Sequence, residues 1–155
     1  MGPLQIQPGT DAQGQPGAWV VFDSGDEPTF VARQHWVGVD LDGTLARNDN
    51  DGHFLPPYPL GDPIPDMIAM VQSLLQVGVT VKIFSARACE LESIPVIQAW
   101  AEKHGLGRME VTNQKDYNLI RFYDDRAIQV VPNAGKSVAW LANGHGSKLN
   151  AENTA

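Results

Sequence analysis

Val39-Asp40-Leu41-Asp42-Gly43-Thr44 constrains this chain more than any other stretch, because an apolar strand ends there in two carboxylates, a glycine and a threonine. Trp36, Val37, Val39 and Leu41 read as a buried strand, since the run is short and rich in β-branched and aromatic side chains. Asp40 and Asp42 are two apart, which in extended backbone points both off the same side of the strand end. Like charges so placed repel unless a cation neutralises them or one keeps a proton. A carboxylate nucleophile beside a carboxylic acid, attended by a hard divalent metal, needs this arrangement. Gly43 then permits a sharp turn. Alone, the motif is equally readable as an acidic turn that ends a strand, so its meaning depends on partners elsewhere in the chain.

Those partners recur with a regular rhythm. After the motif, residues 45–61 carry Pro56, Pro57 and Pro59 and a polar run from Arg47 to Gly52, which reads as an ordered flap. A helix follows, with Asp62 as its cap and Pro63 in its first turn. Ile64, Met67, Ile68, Val71, Leu74 and Leu75 recur at helical spacing, and Gly78 closes it. Val79–Phe84 is a second strand ending at Ser85-Ala86-Arg87. A second helix spans about Ser93–His104 with Gly105 as terminator. Met109–Thr112 is a weaker strand, Leu119–Tyr123 a fourth ending at Asp124-Asp125-Arg126, and Ala127–Val131 a candidate fifth. Residues 1–17, rich in Gly, Pro and Gln, read as a flexible arm. Ala18–Phe22 and Pro28–Arg33 read as a hairpin around Ser24-Gly25-Asp26. One domain over 18–141, with a motif core at 36–131, and a polar tail over 142–155 complete the expected organisation.

Alternating strands and helices imply right-handed crossovers and a parallel sheet with helices on both faces, and ligand sites in such sheets lie beyond the carboxyl ends of the strands. The polar clusters fall at those ends: Asp40 and Asp42, then Ser85 and Arg87, then Asp124 and Asp125, with Lys115 just before the fourth strand. The set Asp40-Leu41-Asp42-Gly43-Thr44, Ser85, Lys115 and Asp124-Asp125 resembles the four motifs of the haloacid dehalogenase-like superfamily, in the right order over residues 36–131. Most members of that superfamily are magnesium-dependent phosphatases. The resemblance implies a three-layer, Rossmann-like α/β fold. One helix between successive motifs resembles the small members without a large cap domain. Ser85-Ala86-Arg87 with Asp124-Asp125-Arg126 also resembles, over a short span, the phosphatase domains of polynucleotide end-processing enzymes.

What the resemblance implies for each residue agrees with its chemistry. Asp40 is the expected nucleophile, forming an aspartyl-phosphate, and Asp42 the general acid and then base. Mg²⁺ is the expected cofactor, held by Asp40, Asp124, Asp125 and the backbone carbonyl of Asp42. Ser85 and the amides near Leu41 and Ala86 are expected to hydrogen-bond the phosphoryl group, with Lys115 supplying charge and Thr44 lining the substrate site. Several positions carry a second reading. Ser85 also fits a helix cap, and Lys82 and Lys103 compete with Lys115. Arg87 and Arg126 fit salt bridges to the acidic rim as well as they fit substrate contacts. His35, His53, His104 and His145 lack ligand spacing; only His53, in the flap, is placed to face the site.

Composition narrows the partners. A net charge of −7 disfavours broad nucleic-acid or membrane binding, though an oligonucleotide 3′-phosphate end remains compatible with a local cationic site. With one cysteine, Cys89, there is no internal disulfide, and with no signal-like start or long apolar run the expected location is cytoplasmic. The expected activity is Mg²⁺-dependent phosphomonoester hydrolysis on a phosphorylated small molecule. The alternative from a different class is a phosphate- or metal-binding regulatory domain with little turnover. A site without a cap must be shielded by the flap, by a neighbouring subunit in a homo-oligomer, or by the substrate itself. Phe54, Leu55 and Tyr58 are the flap residues expected beside the phosphate.

Overall fold

A computed structural model describes residues 4–49 and 59–145. The chain divides into two compact units, Met1–Asp125 and Arg126–Ala155. This division falls inside the 18–141 span expected of a single domain.

The first unit holds two sheets. β1 (Gln5–Thr10), β2 (Pro16–Val21) and β3 (Thr29–Ala32) form an antiparallel sheet in the order β1-β2-β3. The hairpin expected around Gly25 is present as β2–β3, and Gly25 turns with φ +91. The flexible arm expected over residues 1–17 is replaced in part by β1, which pairs with β2 from Gln5↔Val21 to Thr10↔Pro16. Composition argued against a strand there, but an edge position tolerates Pro8, whose missing N–H would break a central ladder. Gly9 lets the edge lie against Trp19, since a Cβ there would stand 2.7 Å from the indole. Ile6 packs against the core.

The second sheet is parallel, in the order β6 (Glu110–Thr112), β5 (Thr80–Phe84), β4 (Trp36–Val39), β7 (Leu119–Tyr123). β4 is buried along its whole length because it lies between β5 and β7. α1 (Pro65–Gln76) connects β4 to β5, and α2 (Ser93–Lys103) connects β5 to β6. Both steps move the same way across the sheet, so right-handed crossovers set both helices on one face. Their buried residues Ile68, Met70, Val71, Leu74, Ile97 and Ala101 accordingly join one cluster with Val37, Val39, Val81, Ile83 and Val111. These five strand residues alternate with Trp36, Gly38, Lys82, Phe84 and Glu110, which belong to the opposite face. That face carries an aromatic stack, Phe84 edge-on to Phe122 at 4.8 Å, and Gly38 leaves room for Phe122 to cross β4. Both helices of this unit with a crossover role, α1 and α2, belong to the first face, and the six-residue connection 113–118 between β6 and β7 carries no helix.

Two local expectations also change. α1 starts at Pro65 after Ile64, with no side-chain cap, rather than at Asp62. Pro63 instead bridges Ala46, and the Asp62 carbonyl accepts from the Arg47 amide at 2.8 Å, so this backbone is committed to the base of the flap. The Ile64 amide donates to Leu45 at 2.7 Å, Gly61 closes on the Arg47 carbonyl, and Trp100 Nε1 donates to the Gly61 carbonyl at 3.0 Å. The two ends of the 45–61 segment are therefore tied together, while Phe54, Leu55 and Tyr58, with His53, Pro56 and Pro57, lie outside the described residues.

In the second unit, the fifth strand expected at Ala127–Val131 reduces to a bridge between Val130 and Ser137. Asn133 and Gly135, both at positive φ, turn the chain back so that Val131 receives a local partner in Lys136. Ser137 caps the short helix α3 (Val138–Trp140), and past Leu141 the chain leaves helical geometry at Asn143 and Gly144, in the stretch expected as a polar tail from 142. Among the described residues no helix is long and apolar enough to cross a membrane.

Candidate metal and phosphate site

β4 delivers Asp40 to the carboxyl rim of the sheet, with its amide still donating to the Tyr123 carbonyl at 2.8 Å. The chain leaves extended geometry immediately afterwards. Thr44, Leu45 and Ala46 all donate to the Leu41 carbonyl, and the Gly43 amide closes on Ala46 at 2.8 Å. Gly43 has φ +88, and a Cβ there would stand 2.5 Å from Asp125 Oδ2. Both constraints select glycine.

The turn sorts the two carboxylates. Asp40 is grouped with Asp124 and Asp125, each offering an oxygen within 4.8 Å of the others. Thr44, 7% exposed, ties this group together: its hydroxyl accepts from the Asp125 amide at 3.1 Å. The hydroxyl lies 3.3 Å from Asp125 Oδ1 and 3.5 Å from Asp40 Oδ2. One hydroxyl proton serves only one of these oxygens at a time. Burial first, then a hydrogen bond with Asp125 and the charge of Asp124, push Asp40 from 3.8 up to about 7, against the opposing pull of the Leu41 amide. Three hard oxygen donors that repel one another suit a cation of the Mg²⁺ kind, which binds oxygens at about 2.0–2.1 Å and keeps several waters. The donor set thus fits the ion expected from the sequence, with Asp42 contributing no side-chain oxygen to the group.

The Asp42 carboxylate instead meets Arg87. Nε donates to Oδ2 and an Nη to Oδ1, both at 2.8 Å, a bidentate pair in which both side chains are largely shielded. Of the two uses open to Arg87, the ion pair with the acidic rim is present. Ser85, buried at the end of β5, accepts from the Arg87 amide at 3.1 Å and caps the turn Ala86–Cys89. The capping role thus holds, and the hydroxyl proton stays available to an incoming acceptor. Ala86 is exposed at the start of that turn.

The remaining candidates separate. Lys115 is exposed, three residues beyond β6. Its competitor Lys82 pairs with Glu110 at 3.4 Å and sits over the Trp36 ring at 4.5 Å, on the opposite face of the sheet. Lys103 closes α2, followed by His104 edge-on to Trp100. Arg126 opens the second unit and is described with it. A feature beyond the sequence reading is an open recess of about 290 Å³ beside Asp124 and Asp125, walled by Ile64, Met67 and Tyr123. Its only sequence signal was the i, i+3 pair Ile64 and Met67 at the start of α1, which had read as ordinary core.

No family model matches the chain, and no curated protein matches it. A solved structure of a conserved protein from Bacteroides thetaiotaomicron is similar at 20% identity. It covers 74% of this chain and 89% of that one with a TM-score of 0.44, a likeness too weak to bear on function.

Proposed function

We propose that this chain is a Mg²⁺-dependent phosphomonoester hydrolase of the haloacid dehalogenase-like type. The observation that carries the proposal is the grouping of Asp40 with Asp124 and Asp125 at one strand-end rim, with Asp42 two residues on and held apart by Arg87. A purely structural rim has no use for three mutually repelling carboxylates, one of them pushed to about 7. Asp40 is the group that attacks phosphorus, because it is the half-buried member at the strand end. Mg²⁺, when bound by Asp40, Asp124 and Asp125, keeps the nucleophile ionised and offsets the charge of the phosphoryl oxygens. Thr44 fixes Asp125 relative to Asp40. Ser85 and the backbone amide at Ala86 hydrogen-bond the phosphoryl group. Asp42 takes up a proton from solvent as substrate displaces one guanidinium contact, gives that proton to the leaving oxygen, and later takes one from the attacking water.

One observation favours the second reading, a binding or regulatory domain. Arg87 occupies both oxygens of the expected acid, which would hold turnover low if that pair did not open. Phosphate release from an activated aryl phosphate decides between them. The hydrolase requires Mg²⁺-dependent multiple turnover that disappears in Asp40→Asn. The regulatory domain binds Mg²⁺ and phosphate without it.

A further inference from the structure

The antiparallel sheet is tied to the strand that carries two of the three grouped carboxylates. β7 is the outer strand of the parallel sheet, with β4 as its ladder partner. Asp124 and Asp125 follow its last residue, so where they stand depends on what fixes Tyr123. The Tyr123 carbonyl accepts from the Asp40 amide at 2.8 Å, which sets the end of β7 level with the end of β4. The Tyr123 hydroxyl donates to the Phe22 carbonyl at 2.8 Å, and the two rings lie 6.4 Å apart. Two residues back, on the same side of β7, an Nη of Arg121 donates to Thr29 Oγ1 at 2.8 Å. The Arg121 guanidinium also lies 5.6 Å from the centre of the Phe22 ring. Phe22 and Thr29 bracket the loop between β2 and β3, so both ties reach the base of one hairpin. Phe22 belongs to the buried core, which makes it a firm anchor.

The proton of the Tyr123 hydroxyl is committed to Phe22, so this residue acts through what it holds. Mg²⁺ takes oxygens at about 2.0–2.1 Å in near-ideal octahedral geometry. Ligands already placed to within about 0.5 Å bind it more tightly than ligands that must first be gathered. On the Mg²⁺ site of the reading above, we infer that the antiparallel sheet is a brace for the metal ligands and that Tyr123 is the positioning residue through which it acts. Anchored to Phe22 at its hydroxyl and to Asp40 at its carbonyl, Tyr123 holds Asp124 and Asp125 against Asp40 for the cation. Removing the hydroxyl therefore weakens metal binding and leaves the chemistry of the loaded site as it was.

The test titrates Mg²⁺ into the metal-free full chain by calorimetry, well below the Tm of every variant. Tyr123→Phe keeps the ring and should weaken Mg²⁺ binding about tenfold, the low end for a partner that orients metal ligands. With an aryl phosphate, the Mg²⁺ concentration for half-maximal rate should rise by the same factor, while kcat at saturating Mg²⁺ stays within about twofold. Asp116→Ala is the control, because Asp116 accepts from Trp36 Nε1 at 2.8 Å near the opposite end of β7. It should lower Tm and leave Mg²⁺ affinity unchanged. Wild-type Mg²⁺ affinity in Tyr123→Phe, or an equal weakening in Asp116→Ala, overturns the brace. If Tyr123→Phe does not fold, Thr29→Val removes the acceptor of Arg121, and about threefold weaker binding is then expected, with no change overturning the inference. If wild type binds Mg²⁺ but turns over no aryl phosphate, the hydrolase reading falls and the ratio of Mg²⁺ affinities still decides the brace. If wild type binds no Mg²⁺, both fall.

Discussion

The two sides of the strand-end rim handle the same charge in opposite ways. On the Asp42 side, Arg87 satisfies both oxygens at 2.8 Å and Ser85 caps the turn that presents it. On the Asp40 side, three carboxylates crowd within 4.8 Å, and the Thr44 hydroxyl accepts from the Asp125 amide and lies between the Asp125 and Asp40 oxygens. The first side is complete as folded. The second gathers like charge at one spot, and burial together with that charge pushes Asp40 up to about 7. Crowded like charge beside a closed ion pair marks the part of the rim suited to a cation.

The largest expected effect breaks the Asp40 side outright. Asp40→Asn should lower kcat for aryl phosphate by at least about 10³-fold, since an amide is not a nucleophile. Wild-type turnover in that variant would remove the covalent mechanism.

Asp42→Asn tests the other side. Loss of general acid–base help should cost about 10²–10⁴-fold on an alkyl phosphate and less on an aryl phosphate, whose leaving group needs no proton. Equal losses in single-turnover measurements would count against Asp42 as the acid.

Arg87→Ala sharpens the comparison, because it takes from Asp42 the fork that closes its side of the rim. If Arg87 positions Asp42, kcat on the alkyl phosphate should fall roughly tenfold, and Arg87→Lys should not restore it, since an ammonium lacks the fork. A rise in turnover would show that the pair restrains Asp42 instead, as the regulatory reading requires.

The smallest effect is thermodynamic. Asp40 has a folded pKa of about 7 against 3.8 unfolded, so between those values the native chain keeps a proton that the unfolded chain has lost. Stability of the metal-free protein should therefore fall as pH rises from about 4 to about 7 and level off above. Discounted for solvent reaching a half-buried group, the penalty at pH 8 is about 1–2 kcal/mol, or about 3–8 °C in Tm. Asp40→Asn should raise the metal-free Tm at pH 8 by that amount and leave it nearly unchanged at pH 4. A pH-independent difference between the two would show that Asp40 titrates normally.

Much of the rim could be read from residue order, because a parallel sheet brings every strand's carboxyl end to one edge and the strands themselves carry strong apolar signals. Asp40, Ser85 and Asp124 follow from that alone. The pairing of Asp42 with Arg87 spans 45 positions and depends on a turn that begins at Leu41, where an extended continuation had been expected. β1 was hidden because edge pairing is made by backbone groups, to which Gln5–Thr10 contribute as well as a β-branched run would. The lack of a helix between β6 and β7 was legible in principle in the six-residue connection before Leu119, but alternation of strand and helix suggested a covering on both sides.

The pinched base of the 45–61 segment has a consequence for how such a chain can change. Arg47 and Asp62, Leu45 and Ile64, are joined across it by backbone bonds of 2.8 and 2.7 Å. Polypeptide spliced in between leaves and rejoins the scaffold at one point. Each doubling of its length costs only about 0.6 kcal/mol in closure entropy. The base is thus a socket at which new sequence, up to a whole folded module, can be exchanged beside the carboxylates without disturbing β4 or α1.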